Sequence, residues 1–394
     1  MNSKINIGVI GAGTMGRGIA QIAAQAGHKV VLCDSNDEAL SAAKTDLENI
    51  LRRLESKNRL DGKTAAVVLA NIHFYKSVDE CRNCGMIIEA IVENLSLKQQ
   101  LFQSLEKIAP ADTILASNTS SLSIAAIAGK CAQPERILGI HFFNPAPLMP
   151  LVEIVPGIQT TKSYVEKAKL IVESWGKTTV IARDTPGFIV NRVARPFYGE
   201  ALRILEEGIA DVATIDWAMK SIGGFRMGPF ELMDLIGNDI NFTVTKTVFE
   251  TFFFDPRYKP SFTQQRMMEA GLLGRKTGRG FYDYRENATQ TAPKTDREIG
   301  VMIVNRILAM LINEAADALF WQIATCEDID LAMTKGVNYP KGLLKWADEI
   351  GLDIVLRRLE NLHVEYSEDR YRPSPILRRM VKSKQSFYDD RSQL

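Results

Sequence analysis

The stretch GVIGAGTMG, residues 8 to 16, limits the folds open to this chain more than any other feature. Gly11, Gly13 and Gly16 follow the strand-like INIGVI and open the helical TMGRGIAQIAAQ, with Thr14 and Met15 at the helix mouth. Glycines at this spacing permit a tight turn, close backbone approach to a pyrophosphate and close helix–strand packing. The helix N-terminus favours the same anion. The next apolar run, KVVLCD, ends in Asp34, whose carboxylate would accept from both adenosine ribose hydroxyls and repel a 2′-phosphate. That selects NAD over NADP. The competing reading makes Asp34 the N-cap of the following helix.

From about residue 4 to 183, short β-rich runs alternate with helical stretches, which predicts an α/β Rossmann-type domain with parallel strands covered by helices. A long charged helical region is expected from 36 to about 70. After DTPGFIVNR, residues 184 to 192, the β-runs stop, and 184–284 reads as a helical domain followed by a polar linker over 285–298. The helical text then repeats. At an offset of 114, Ile189, Val190, Asn191 and Arg192 return as Ile303, Val304, Asn305 and Arg306, and Glu200-Ala201 as Glu314-Ala315. Ile215-Asp216 returns as Ile329-Asp330, and YKPS as YRPS one residue early. The period is too long for a solenoid, so 299–394 is a second copy of the helical domain, giving two tandem all-α domains. This copy reads as lacking an equivalent of GRKTGRGFYDY, residues 274 to 284.

Lys and Arg (48) nearly cancel Asp and Glu (47), so no long-range field favours nucleic acid or an anionic membrane. No run is read as approaching bilayer-spanning length, and no export leader precedes the first strand. Five scattered cysteines fit a reducing cytoplasm. Cys81 and Cys84 have C-x-x-C spacing, but no second pair supports a metal site and no thioredoxin-like setting supports a redox one. No metal is expected.

Dehydrogenation of a hydroxyl needs a group to take its proton, and histidine is the usual choice. Of four histidines, His28 lies in a helix-to-strand turn, His73 in ANIHFYKS and His363 far along the second helical copy. His141 follows RILGI at the carboxyl end of a strand, where open α/β sheets bind ligands. Glu153 lies twelve residues on, inside the apolar run LVEIV, beyond the proline-rich NPAPLMP. A strand, a reversal and a second strand would bring the two together, the carboxylate orienting the imidazole as in a Ser-His-Asp triad. A structural ion pair, or a solvent-facing glutamate on an edge strand, fits the spacing equally well.

The motifs GVIGAGTMGRGIAQ, IIEAIVENLSLK, ASNTSSLSI, HFFNPAPLMPLVEIV, DTPGFIVNR, MGPFELMDLIG and GRKTGRGFYDY resemble, in order and spacing, the L-3-hydroxyacyl-CoA dehydrogenases over residues 4 to 284. The resemblance implies NAD-dependent oxidation of a 3-hydroxyacyl-CoA thioester to its 3-keto form in β-oxidation or a related acyl-CoA pathway. It implies His141 as base, Glu153 as its orienting carboxylate, and Ser120 and Asn191 near the substrate oxygens. Asn144 would support the histidine loop, beside the cofactor. Glu93, Lys98 and Asn118 would line the nicotinamide half of the cofactor. Lys57 and Lys63, in KTDLENILRRLESKNRLDGK, would meet the CoA phosphates. Bland readings stand beside these: Ser120 as a turn or cap residue, the two lysines as a solvated face, and Asn191 as part of a motif structural in both copies. The duplicated tail resembles the longer enzymes in which it imitates a partner's helical domain. That implies a monomer with an internal pseudo-dimer, or a homo-oligomer. Two rival functions remain: an NAD enzyme of free β-hydroxy acids, and a non-catalytic NAD(H)-responsive binding protein.

Overall fold

Strands β1 (Ile7–Ile10), β4 (Met86–Glu89), β5 (Ile114–Ser117) and β6 (Ile137–Phe142) are buried along their whole length, as expected where helices cover both faces of a sheet. With β2 (Val30–Cys33), β3 (Ile72–Tyr75), β7 (Leu151–Pro156) and β8 (Thr178–Ile181), they form one sheet of order β3-β2-β1-β4-β5-β6-β7-β8. The computed structural model describes residues 4–388. The chain divides after Phe188 into two compact units, and the sheet belongs to the first.

Pairing is parallel throughout except between β6 and β7, which run antiparallel. The exception follows from chain length: NPAPLMP is too short for a helical crossover, so the chain reverses. Helices α1 (Thr14–Gln25), α2 (Asp37–Glu55), α3 (Ala65–Leu69), α4 (Leu95–Ile108), α5 (Ile124–Ala128) and α6 (Lys162–Glu173) complete the unit. Four of them start at side-chain caps: Asn36, Thr64, Asn94 and Ser123 each accept from a first-turn N–H. The charged region expected as one long helix breaks after α2. Asn58, Asp61 and Gly62 take positive φ there, and α3 starts afresh. The sequence reading passed over β3, whose side chains alternate between burial and exposure as befits an edge strand.

The second unit contains α7 (Val190–Val193), α8 (Arg195–Glu206), α9 (Val212–Trp217), α10 (Pro229–Ile236), α11 (Asn238–Thr251) and α12 (Phe262–Glu269), then α13 (Arg297–Phe320), α14 (Cys326–Gly336), α15 (Leu343–Ile350), α16 (Leu352–Tyr366) and α17 (Pro375–Ser383). The two copies use the same hydrogen bonds. Asp216 accepts from the N–H groups of Phe230 and Glu231 and from the Tyr282 hydroxyl; Asp330 accepts from Leu344, Lys345 and the Tyr388 hydroxyl. Asp234 accepts from Phe281 and Tyr282, and Asp348 from Phe387 and Tyr388. The second copy therefore does keep an equivalent of the Phe-Tyr of GRKTGRGFYDY. A shortened connection after α17 breaks the sequence register and hides it.

Bilayer-spanning length is also corrected, because α13 is a 24-residue helix with a window apolar enough to cross a membrane. It is packed inside the helical unit, with Arg306, Glu314 and Asp317 held in ion pairs. A central core helix needs the same all-round apolarity.

Candidate active site

The antiparallel register sets His141 directly opposite Glu153. Cross-strand partners share a face of the sheet, so the spacing in sequence becomes contact in space. Nδ1 of His141 lies 2.6 Å from Oε2 of Glu153, and the carboxylate is wholly buried. The His141 ring packs against Phe143 and Phe188 at centroid distances of 4.5 and 5.7 Å. With Nδ1 engaged, Nε2 is the nitrogen free to exchange a proton with a ligand. The other histidines do other work: His28 bonds the Ile5 carbonyl and packs on Trp175, His73 stands exposed on β3, and His363 bonds the Glu368 carbonyl just past the end of α16.

The loops beyond β4 and β5 are tied to this end of β6. Asn118 accepts from the N–H of Phe142 at 2.9 Å, bracing the residue after His141. Glu93 accepts from the backbone N–H of Ser120 and from the hydroxyls of Thr119 and Ser121, so it organises the serine loop. Burial pushes Glu93 up, but Lys98 and the hydroxyls more than offset this and hold it below its usual range. The Ser120 hydroxyl keeps no partner among the described residues. Asn144 lies exposed just past β6.

Sequence reasoning missed three residues that build this edge. Glu89, at the end of β4, is fully buried and accepts from Lys98 and the Ser117 hydroxyl, each at 2.6 Å, and from the N–H of Ile91. Lys98 is thus buried between Glu89 and Glu93 and reaches the edge only through them. An acid closing an apolar strand, as Asp34 does, was the available signal for Glu89. Asp184 accepts from the Ser123 hydroxyl and from the N–H groups of Ile124 and Ala125, capping α5. The ammonium of Lys177 donates to the carbonyls of Ala146 and Met149 at 2.6 and 2.7 Å, inside the reversal between β6 and β7. Burial pushes Lys177 down to about 8.

The glycine-rich turn fits a dinucleotide. Gly11 has φ +104°, and a Cβ on Gly16 would stand 1.8 Å from the Gly11 carbonyl oxygen, so neither admits a side chain. A Cβ on Gly13 would meet nothing within 4 Å, leaving the helix mouth open where Thr14 and Met15 begin α1. Asp34 accepts from the N–H of Ala12 at 2.8 Å, which fixes its carboxylate beside the turn; the cap of α2 is Asn36. Cys33, Cys81 and Cys84 are buried together, and the Cys81 thiol is pushed far up by its bond to Cys33, by Cys84 and by burial. That suits packing, not redox chemistry.

The sequence model described as "3-hydroxyacyl-CoA dehydrogenase, NAD binding domain" matches residues 6–185, and its "C-terminal domain" counterpart matches twice, over 187–284 and 302–388. The chain belongs to the 3-hydroxyacyl-CoA dehydrogenase family. It is 38% identical to a 3-hydroxyadipyl-CoA dehydrogenase of Escherichia coli, across 94% of this chain and 96% of that protein. It is 41% identical to a probable 3-hydroxybutyryl-CoA dehydrogenase of Deinococcus radiodurans, across 71% of this chain and all of the relative. The crystal structure of 3-hydroxybutyryl-CoA dehydrogenase from Escherichia coli superimposes with a TM-score of 0.92 at 36% identity, covering 97% of this chain and 99% of that one. As a member of the family, the protein is an NAD-dependent dehydrogenase that interconverts 3-hydroxyacyl-CoA and 3-ketoacyl-CoA.

In the second unit, Asn191 on α7 is half-buried and its amide keeps no partner among the described residues. The neighbouring Arg192 pairs with Glu314 at 2.6 Å. Within the recurring Asn-Arg, the arginine is therefore the scaffold part. Lys57 and Lys63 lie exposed on the turn after α2, outside the His141 constellation, and the Lys63 ammonium donates to the Gln25 carbonyl.

Proposed function

We propose that His141 is the acid/base of the 3-hydroxyacyl-CoA reaction and Glu153 its positioning carboxylate. The observation that carries this is the 2.6 Å contact between Nδ1 and a fully buried carboxylate with the chain's register holding both. Glu153 holds the Nδ1–H tautomer, so Nε2 takes the 3-hydroxyl proton in oxidation and returns it in reduction. The buried carboxylate stabilises the imidazolium formed at that moment. The chemistry that bound NAD would supply is that of a hydride acceptor for the 3-carbon. The free hydroxyl of Ser120 and the free amide of Asn191 supply hydrogen bonds to the substrate's oxygens. Asp34 holds the adenosine ribose, Gly11, Gly13 and Gly16 admit the pyrophosphate, and Glu93, Asn118 and Asn144 shape the nicotinamide end. With Lys63 engaged by a backbone carbonyl, Lys57 is the freer charge for a CoA phosphate.

Replacing His141 by Gln should cut kcat with acetoacetyl-CoA by about 10²- to 10⁴-fold. NADH binding, followed by its fluorescence, should persist. Loss of both together would mean that His141 serves folding instead.

A further inference from the structure

Polar residues buried in both helical copies serve the scaffold: Arg192 and Arg306, Glu200 and Glu314, Asp216 and Asp330. A buried charge present in one copy alone needs another reason. Arg195 is such a charge; its counterpart is the packed Ala309, and that of its neighbour Tyr198 is Ile312. Arg195 is only 8% exposed, donates to the Thr245 hydroxyl at 3.2 Å and lies over the Tyr198 ring at 4.9 Å. No carboxylate pairs with it among the described residues, and its Nε has no acceptor.

Tyr339, given by the second copy at the position where the first has Phe225, packs on Phe197, two residues along α8 from Arg195, at a ring-centroid distance of 5.6 Å. The Tyr339 hydroxyl is also buried and also has no partner. Each copy thus buries a donor with no acceptor among the described residues: Nε of Arg195 in the first and the Tyr339 hydroxyl in the second. A cation removed from water without a counter-charge is strongly disfavoured, and burial pushes Arg195 below its usual range. An arginine and a tyrosine, both donors, suit a carboxylate, and a guanidinium adds its charge.

Asn191 stands four residues before Arg195, with Ala194 between them in helical backbone geometry, so the two share a helix face one turn apart. That separation is about 6 Å along the axis. An acyl chain whose carboxylate lies three carbons beyond the 3-carbon covers a similar reach. We propose that Arg195 and Tyr339 bind the terminal carboxylate of a dicarboxylic 3-hydroxyacyl-CoA and set the enzyme's preference for it. This rests on the reading that Asn191 meets the substrate's oxygens.

The test compares kcat/KM for 3-hydroxyadipyl-CoA with that for 3-hydroxyhexanoyl-CoA, equal in length but uncharged at the end. In the wild type the dicarboxylic substrate should be preferred. Arg195→Met should lower the ratio of the two by about 10- to 100-fold, mainly through KM, and Tyr339→Phe by about tenfold or less. Equal loss with both substrates, in both variants, would make the pair a packing feature and overturn the proposal. So would an unchanged ratio, or inorganic phosphate raising the wild-type Tm but not that of Arg195→Met with no wild-type preference, which would mark a free-anion site. Asn191→Ala separates the two readings: it should slow both substrates. If it slows neither while Arg195→Met still shifts the ratio, the carboxylate site stands and the Asn191 reading falls.

Discussion

Glu153 sits on β7 among Leu151, Val152, Ile154 and Val155, all buried, and burial of a carboxylate is tolerable only beside a partner. His141 is that partner, and the pair was legible in sequence because a short reversal between two strands allows few registers. Glu153→Gln keeps the shape but not the charge. Oxidation of 3-hydroxybutyryl-CoA should slow by about 10²-fold or more while KM for NAD stays unchanged; a variant of wild-type kcat would remove Glu153 from the mechanism. Glu89 shows in sequence only as an acid closing an apolar strand; its pairing was not legible, since the partner Lys98 lies on the next helix. Glu89→Gln would leave Lys98 buried with only Glu93 beside it. Urea unfolding should then show a loss of about 3–5 kcal/mol, and a loss below about 1 would mean that Lys98 escapes to water.

At the scale of elements, the reversal between β6 and β7 depends on a residue distant in sequence. Lys177, just ahead of β8, ties down the carbonyls of Ala146 and Met149, and no periodicity or motif connects a lysine with backbone carbonyls some thirty residues earlier. Lys177→Met should leave the strands paired but loosen the turn that follows His141. The expected result is a lower kcat with unchanged NADH affinity, accompanied by faster amide exchange confined to residues 143–150. Wild-type exchange in that segment would show the turn to be self-supporting. In the helical unit, Asp216 holds the start of α10 in the way Asp330 holds α15, and a Cβ on Gly228 or Gly342 would collide with these carboxylates. Burial, only partly offset by the Phe230 and Glu231 N–H groups and the Tyr282 hydroxyl, pushes Asp216 up to about 7 from an ordinary value of 3.8. Between those values the folded chain keeps a proton that the unfolded chain has released, so stability falls as pH rises from about 4 to about 7 and then levels off. Melting curves should show this slope, and Asp216→Asn should flatten it; Asp330, which burial also pushes up, contributes in the same direction.

Over the whole chain, the duplication explains more of the helical unit than any single motif. Its two copies face each other through reciprocal ion pairs: Arg192 with Glu314, and Arg306 with Glu200. Tyr258 donates to Glu314, and Tyr371 donates to Glu200 at 2.9 Å. Two similar patches exchanging the same contacts are what a symmetric dimer interface provides, here closed within one chain. The offset of 114 was readable because these scaffold residues recur; the pairing across copies was not, since a repeat says that two surfaces are alike and not that they meet. Arg257 adds a second cation to Glu314, and Asp317 completes the cluster. Glu314→Gln therefore leaves two buried guanidinium groups with Asp317 as their remaining ion-pair partner, and should cost about 3–5 kcal/mol in urea unfolding. Replacing Arg192 by Met in that background removes one stranded cation, so the double variant should be more stable than Glu314→Gln alone. Additive losses would show that the two residues do not act on each other. With this surface already covered, we expect light scattering to find the chain monomeric at micromolar concentration. The Glu314→Gln variant should instead self-associate as the two halves part, and a wild-type dimer disrupted by the same change would place the oligomer contact on this surface after all.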